Sequence, residues 1–214
     1  ESISEKTKGV LLCNPNNPLG VTFSNEEVDK IVSKAAKFNV PVIIDEAYKE
    51  FSYLGEHSLF DDYSNVTLIK TFSKTFGLAG LRLGYVVTSP STAEELTKLR
   101  LPWGVKHFAT HVATICLDAF PYFKTQLDKV RERRQSLMET FTSTNIPVLA
   151  SETNFLLVFP NKPETFTRAL KREKILVNNI SQSGRSSFLE RAVRVTVPSQ
   201  GDLPFVKNCI KQVV

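Results

Sequence analysis

Polar residues with chemically active side chains follow three short apolar runs of the sequence, at 9–13, 40–44 and 66–69. Runs of this length and composition are typical of buried strands. Open α/β sheets bind ligands beyond the carboxyl ends of their strands, so residues after these runs are candidates for one shared site. The candidates are Asn17 after the first run, Asp45 after the second, and Thr71, Ser73, Lys74 and Arg82 after the third.

Each candidate alone has an ordinary structural explanation. An asparagine in a proline-rich loop is usually a turn residue, and an aspartate after a strand is usually a helix cap. A lysine between Ser73 and Thr75 is usually exposed to solvent. The combination of these residue types, in this order, is what indicates a functional site.

Three segments, in this order and spacing, resemble the aminotransferase class I/II superfamily of fold-type-I pyridoxal-phosphate enzymes. They are residues 14–20 (NPNNPLG), 45–48 (DEAY) and 71–85 (TFSKTFGLAGLRLGY). Within the superfamily, the sequence is most similar to histidinol-phosphate aminotransferases. The resemblance covers nearly the whole chain, and it implies that the chain is the C-terminal portion of such an enzyme.

The resemblance implies a role for each residue around the ring of pyridoxal 5'-phosphate. Lys74 would bind the cofactor aldehyde and then act as a general base, because only lysine offers a primary amine on a flexible stem. Asp45 would lie beside the pyridine nitrogen and keep it protonated. Asn17 and Tyr48 would donate hydrogen bonds to the 3-oxygen of the ring.

The resemblance also implies how anionic groups are bound. Arg82 would bind the cofactor phosphate through two N–H groups, with hydroxyl donors from Ser73 and Thr71. Arg194 would bind the α-carboxylate of the amino-acid substrate and would so orient the Cα–H bond relative to the ring, with Asn17 as a second substrate-binding residue. The implied activity moves an amino group between an amino acid, with glutamate as the expected donor, and a carbonyl acceptor.

Three features of the sequence leave alternatives open. Asn178 falls where histidinol-phosphate aminotransferases have an arginine for the distal anionic group of the substrate, and Arg185 or Arg191 could replace that arginine. The stretch 100–105 (RLPWGV) resembles threonine-phosphate decarboxylase, which shares the fold and the cofactor but removes carbon dioxide. Because the chain is shorter than the enzymes it resembles, it could also be a catalytically incomplete fragment that keeps the fold.

The pattern of apolar residues predicts an α/β fold, with a mostly parallel sheet covered by helices and then a small α+β region. Capping boxes at Ser24–Glu27 and Ser91–Glu94 indicate two helix starts. Strands are predicted at 9–13, 40–44, 66–69, 85–88, 154–159, 175–177 and 192–197, and helices at 24–39, 91–102, 107–120, 121–142, 164–172 and 203–213. We place part of the cofactor-binding large domain at 1–122 and a small C-terminal domain at 123–214.

Composition argues against several other classes of protein. The net charge is +5, but Lys and Arg are scattered among Glu and Asp, so we expect no nucleic-acid partner. No apolar run is long enough to span a membrane. His107 and His111 have metal-ligand spacing, but no glutamate follows His107, and we expect no metal.

The cysteines indicate the cellular compartment, and the resemblance indicates the oligomeric state. Three isolated cysteines form neither a disulfide framework nor a zinc pattern, which fits a reducing compartment and predicts a cytoplasmic protein. The resemblance implies a homodimer, because the sites of the family are built at a subunit interface.

Overall fold

The computed structural model describes residues 2–55, 59, 63–101, 103–181 and 187–213. The chain divides into two compact units, of which the first contains residues 1–16 and 22–125 and the second residues 17–21 and 126–214. The packing of residues 17–21 with the second unit was not predicted from the sequence. The domain boundary after residue 122 stays a prediction.

The first unit contains a four-stranded sheet with the order β1-β2-β3-β4. The strands are β1 (Val10–Cys13), β2 (Val42–Asp45), β3 (Val66–Thr71) and β4 (Gly84–Thr88). The first three strands are parallel, and β4 pairs with β3 in the antiparallel direction. The predicted α/β fold with a mostly parallel sheet is therefore confirmed.

One face of this sheet packs against helix α1 (Asn25–Ala36). The helix begins at Ser24, whose side chain accepts a hydrogen bond from the backbone N–H of Glu27, and the Glu27 side chain binds the Ser24 backbone in return. This capping box was predicted. The core between helix and sheet is made of small and branched side chains, namely Val28, Val32, Ala35, Val42, Ile44, Val66 and Leu68.

Three further helices begin in the first unit: α2 (Pro90–Lys98), α3 (His107–Asp118) and α4 (Phe120–Ser143), the last of which contributes to both units. The predicted cap of α2 was wrong, because the side chain of Ser89, not of Ser91, accepts from a backbone N–H of the first turn. Helix α2 ends at Lys98, and Pro102, which was predicted to close it, lies outside the described residues.

The second unit has a three-stranded antiparallel sheet with the order β5-β7-β6. Its strands are β5 (Phe155–Val158), β6 (Asn178–Asn179) and β7 (Val193–Thr196), and its helices are α5 (Pro163–Arg172) and α6 (Leu203–Gln212). The core lies between the sheet and helices α4, α5 and α6 and includes Leu137, Phe141, Leu156, Val158, Leu170, Val193, Val195 and Ile210.

One predicted strand of the second unit was misplaced. Residues 175–177 are not part of a strand, although Ile175 and Val177 pack against the core. Pairing with β7 involves only the next two residues, Asn178 and Asn179. Apolar side chains can thus contact a core from a loop, and their pattern alone does not locate the strand.

No helix within the described ranges is both long enough and apolar enough to cross a membrane. The same ranges contain no group of three or more His, Cys, Asp or Glu side chains that could hold a metal ion.

Candidate functional site

The carboxyl ends of β2 and β3 bring two loops to the same edge of the first sheet. Asp45 is the last residue of β2, and Thr71 is the last residue of β3. The two strands are parallel, with Asp45 opposite Ile69. The loop after Asp45 and the loop after Thr71 therefore leave the sheet as neighbours, as is usual for ligand sites in open α/β sheets.

The loop after β2 forms a tight turn that begins at Asp45. The Asp45 Oδ1 atom accepts a hydrogen bond from the backbone N–H of Ala47 at 3.0 Å. Tyr48 follows and is buried, and its ring lies 6.5 Å from the ring of Phe51. The turn holds the Asp45 carboxylate, which is half-buried, in one orientation.

The side chain of Lys74 lies against this turn. Its Nζ atom is 5.4 Å from the centroid of the Tyr48 ring. A cation above the face of a tyrosine ring is attracted by the negative charge of that face. The contact brings the candidate nucleophile of one loop onto the aromatic ring of the other.

The loop after β3 also carries the candidate anion-binding groups. The Thr71 Oγ1 atom accepts a hydrogen bond from the backbone N–H of Ser73 at 3.1 Å. Arg82 has a left-handed backbone with φ 52°, and its side chain is exposed, with one guanidinium N–H donating to the Ala79 carbonyl at 3.2 Å. Non-glycine residues in this backbone region are uncommon and cluster at functional sites.

Gly84 allows β4 to pair closely with the end of β3. It lies opposite Thr71 in the register, and a Cβ atom at this position would be 2.7 Å from the backbone oxygen of Lys70. Such a contact is too short for any other residue without a shift of one strand. This packing role of Gly84 was not predicted from the sequence.

A buried ionic cluster lies next to both loops and was missed by the sequence analysis. The Lys70 Nζ atom is 2.9 Å from Glu46 Oε2 and 3.7 Å from Glu50 Oε1. Thr75 donates a hydrogen bond from Oγ1 to Glu50 Oε2 at 3.2 Å. We call these four residues the Lys70 cluster.

Burial sets the electrostatics of this cluster. Desolvation raises the pKa of Glu50 above its ordinary value, although Lys70 and Thr75 act in the opposite direction. The strand alternation could have revealed the cluster, because Lys70 lies on the same buried face of β3 as Val66 and Leu68. A lysine at such a position requires a buried partner.

The second unit brings together the other two predicted residues, Asn17 and Arg194. A guanidinium N–H of Arg194 donates to Asn17 Oδ1 at 2.8 Å. The Arg194 guanidinium also lies 5.0 Å from the ring centroid of Phe155. Because the Asn17 oxygen accepts from Arg194, its amide nitrogen keeps its N–H groups for donation elsewhere.

The loop that carries Asn17 is fixed to the second unit by Gly20. The backbone N–H of Glu152 donates to the Gly20 carbonyl at 2.7 Å. Gly20 has φ +79°, and a Cβ atom there would lie 2.5 Å from Ser151 Oγ. Leu19 packs against a cluster that contains Leu157. The position of Asn17 is therefore determined by backbone and core contacts.

The candidates for a distal anion site are dispersed. Asn178 lies opposite Arg194 in the β6–β7 register and is exposed. Arg191 is exposed as well, and its guanidinium is 3.4 Å from Asn161 Oδ1. Arg185 lies outside the described residues.

Comparison with known proteins shows the family. Residues 1–211 match the profile of the aminotransferase class I and II family. Histidinol-phosphate aminotransferase 2 of Archaeoglobus fulgidus is 37% identical over 199 residues, which cover 92% of this chain and 56% of that relative. The chain thus spans little more than half the length of this curated relative.

Solved structures agree with the sequence comparison. The crystal structure of histidinol-phosphate aminotransferase from Clostridium acetobutylicum has a TM-score of 0.88 at 25% identity, over 96% of this chain and 64% of that one. Histidinol-phosphate aminotransferase from Sinorhizobium meliloti, in complex with pyridoxal-5'-phosphate, has a TM-score of 0.78 at 26% identity, over 96% of this chain and 57% of that one.

The sheet edge with its lysine and carboxylate, together with these matches, identifies the class: the chain belongs to the aminotransferase class I and II family. Its assignment to the C-terminal portion of an enzyme of this family stays a prediction, as do the roles of the individual site residues.

Proposed function

We propose that the protein to which this chain belongs is a pyridoxal-phosphate-dependent aminotransferase. The observation that supports this proposal most directly is the position of the Lys74 amine over the Tyr48 ring, beside the sheet edge where Asp45 ends β2. The names of the curated relatives point in the same direction.

The residues of the first unit fit pyridoxal phosphate in their chemistry. When it is bound, this cofactor supplies an aldehyde that condenses with amines and a pyridine ring that withdraws electrons. Lys74 offers the amine, Asp45 the carboxylate, and Arg82 the guanidinium for the phosphate. Thr71 and Ser73 add hydroxyl groups on the same loop as Lys74.

In this proposal, Lys74 and Asp45 hold and move protons. The Lys74 Nζ atom would take the proton from the substrate Cα as a general base and, as a general acid, would deliver it to the carbon that carries the cofactor aldehyde. The Asp45 carboxylate holds a proton on the ring nitrogen, and its hydrogen bond to Ala47 keeps it oriented for this task. Tyr48 donates its O–H to the ring 3-oxygen.

Asn17 and Arg194 act on the substrate side of the proposed site. The Arg194 guanidinium binds the substrate α-carboxylate and fixes the direction of the Cα–H bond. Asn17 donates to the ring 3-oxygen through its amide nitrogen. Their mutual hydrogen bond at 2.8 Å supports a shared role, because it orients both side chains.

The proposed reaction transfers an amino group from an amino-acid donor, glutamate, to a carbonyl acceptor. A phosphorylated acceptor, as the names of the relatives suggest, needs a cation for its distal group. Asn178 offers no charge beside Arg194, so we propose that any phosphate is bound by another residue, with Arg191 as the candidate in the described part of the chain.

A decarboxylase is the second candidate, supported by the stretch at 100–105. The fold and the cofactor are the same, but a decarboxylase breaks the bond from Cα to the carboxylate and releases carbon dioxide. An aminotransferase breaks the Cα–H bond instead. A third possibility is a cofactor-binding protein without turnover.

The experiment uses the full polypeptide that contains this chain, supplied with pyridoxal phosphate. A visible absorbance band that disappears on borohydride treatment, with the label on Lys74, supports cofactor binding. Conversion of the band by glutamate, without release of carbon dioxide, supports an aminotransferase. Release of carbon dioxide from threonine phosphate supports the decarboxylase, and an unlabelled Lys74 contradicts the whole proposal.

We also propose that the protein is a homodimer, as the resemblance implies. Large apolar side chains between α2 and the first turn of α3 are strongly exposed in the chain alone, including Leu99, Trp103 and Phe108. Exposed apolar patches are typical of protein interfaces. Analytical ultracentrifugation of the full polypeptide, with a sedimenting mass twice that of one chain as the expected result, tests this.

A further inference from the structure

The four members of the Lys70 cluster each lie within two residues, along the sequence, of a residue of the proposed site. Glu46 follows Asp45, and Glu50 comes two residues after Tyr48. Lys70 precedes Thr71, and Thr75 follows Lys74. The cluster therefore joins the loop after β2 to the loop after β3 through side chains that are themselves outside the site.

The contacts of the cluster cross between the loops twice. Lys70, at the end of β3, contacts both carboxylates of the other loop, at 2.9 Å for Glu46 and 3.7 Å for Glu50. Thr75 makes a second crossing through its hydrogen bond to Glu50 at 3.2 Å. All three charged side chains are 15% exposed or less, so solvent screens these contacts only weakly.

We propose that Lys70 is a positioning residue, which fixes the Lys74 loop relative to Asp45 and Tyr48 by bridging Glu46 and Glu50 from behind the site. This inference rests on the proposed function, since it concerns the geometry of the same reaction. In this proposal, Lys70 acts through its contacts with the two glutamates and not by direct contact with the cofactor or the substrate.

Energetics favour a positioning role over a purely stabilising one. Burying an ion requires the loss of its hydration, and hydrophobic replacements of buried ion pairs are often equally stable. The cluster also contains two carboxylates for one ammonium, and desolvation already raises the pKa of Glu50. Because such a bridge adds little to the free energy of unfolding, the geometry that it imposes on both loops explains it better.

A matched set of variants of the full polypeptide separates the two roles. Lys70→Met removes the charge and keeps the length of the side chain, and Lys70→Arg restores a cation that can contact both carboxylates. A cavity of about 300 Å³ beside Lys70 and Glu50 gives water access to the Glu50 carboxylate in the Met variant. Lys98→Met is the control, because Lys98 also pairs with a glutamate, Glu95, but at the surface.

The first measurement is hydrogen exchange without cofactor. In Lys70→Met, we expect backbone exchange to rise at least about fivefold in both loops, at 45–51 and 71–77, because one bridge holds both. Lys70→Arg should exchange like the wild type, as should Lys98→Met. A rise in only one loop, or in neither, overturns the proposal.

The second measurement is made with cofactor. In Lys70→Met, we expect kcat to fall about tenfold while KM for the amino-acid donor stays within about twofold, because misplacement of Lys74 affects the reaction more than binding. The pH midpoint of the cofactor absorbance should shift by about half a unit, and Lys70→Arg should restore it. A lower melting temperature with unchanged kcat and midpoint overturns the positioning role.

Two safeguards keep the outcomes distinct. If borohydride labels no Lys74 in the wild type, the proposed function fails, whereas hydrogen exchange still decides whether Lys70 joins the loops. If Lys70→Met does not fold, Lys70→Gln replaces it, since this change also removes the charge that pairs with Glu46 and Glu50. Faster exchange must then appear at 45–51 as well as 71–77, and a rise at 71–77 alone overturns the proposal.

Discussion

The two units hold their candidate site residues in different ways. In the first unit, Asp45 and Lys74 lie on loops at the edge of a parallel sheet, and buried charges join these loops. In the second unit, Arg194 lies within an antiparallel strand, and the Asn17 loop is held by backbone hydrogen bonds and apolar contacts.

The two units differ in how far the positions of their candidate residues depend on contacts between charged side chains. A strand ladder and an apolar core hold Arg194 at any pH, because neither titrates. The loops around Lys74 are joined instead by a buried cluster in which desolvation raises the pKa of Glu50. The comparison suggests that the proposed chemical step tolerates less change in its surroundings than substrate binding does.

The largest expected effect comes from loss of the Lys74 amine in the first unit. Lys74→Ala should lower kcat by about 10⁴-fold or more, because both the covalent and the general-base roles are lost. Steady-state kinetics of the full polypeptide would measure this, with Lys98→Ala as the surface control. Turnover near the wild-type rate would contradict both roles of Lys74. The first unit would then not differ from the second in carrying the chemical step.

In the second unit, the expected effect of a substitution is on substrate binding. Arg194→Ala should lower kcat/KM for the amino-acid donor about 100-fold, mostly through KM, since a charge-assisted pair to the carboxylate is lost. Arg168→Ala, an exposed arginine on α5, is the matched control. An unchanged KM would place the carboxylate elsewhere.

The anchoring of the Asn17 loop can be tested by stability. Gly20→Ala should cost about 3 kcal/mol, because the left-handed backbone and the contact with Ser151 Oγ both oppose a Cβ atom. Gly77→Ala is the control for backbone strain alone, since Gly77 has φ +68° with no atom within 4 Å of the added Cβ, and it should cost about 1 kcal/mol. Urea denaturation measures both losses of unfolding free energy. Equal losses for the two variants would show that the Ser151 side chain moves away from the added Cβ atom.

A smaller effect is expected beside Arg194. Asn178→Arg adds a guanidinium opposite Arg194 in the strand register. We expect KM for a phosphorylated acceptor to fall about fivefold, with no change for an unphosphorylated acceptor. Asn179→Arg is the positional control, because neighbouring strand residues point to opposite faces. If both variants behave alike, the effect is one of general charge.

The smallest effect is a change in the pH dependence of stability. The pKa of Glu50 is raised on folding, so its contribution is fully present below the ordinary value of 4.5 and is lost as the pH rises through the raised value. Glu50→Gln cannot titrate, and its stability relative to the wild type should therefore increase with pH across this window. Urea denaturation at several pH values measures this, and a constant difference contradicts it. Glu95→Gln, at the surface, should show almost no such trend.

Local patterns in the sequence predicted the elements well, and contacts between distant residues explain what was missed. The Ser24 capping box and the first apolar runs depend on neighbours within a few residues. The Lys70 cluster joins residues 46, 50, 70 and 75, and only the paired strands make them neighbours. The roles of Lys74 and Arg194 stay predictions, although the structure places each with one predicted partner.

The five residues 17–21 make the second unit discontinuous in sequence. A polypeptide cut at residue 126 would therefore lack Leu19 from its apolar cluster and the Gly20 carbonyl that Glu152 binds. Exchange of this unit between related proteins, in evolution or in the laboratory, cannot follow a single crossover point. The short proline-containing segment would have to be exchanged together with residues more than a hundred positions away.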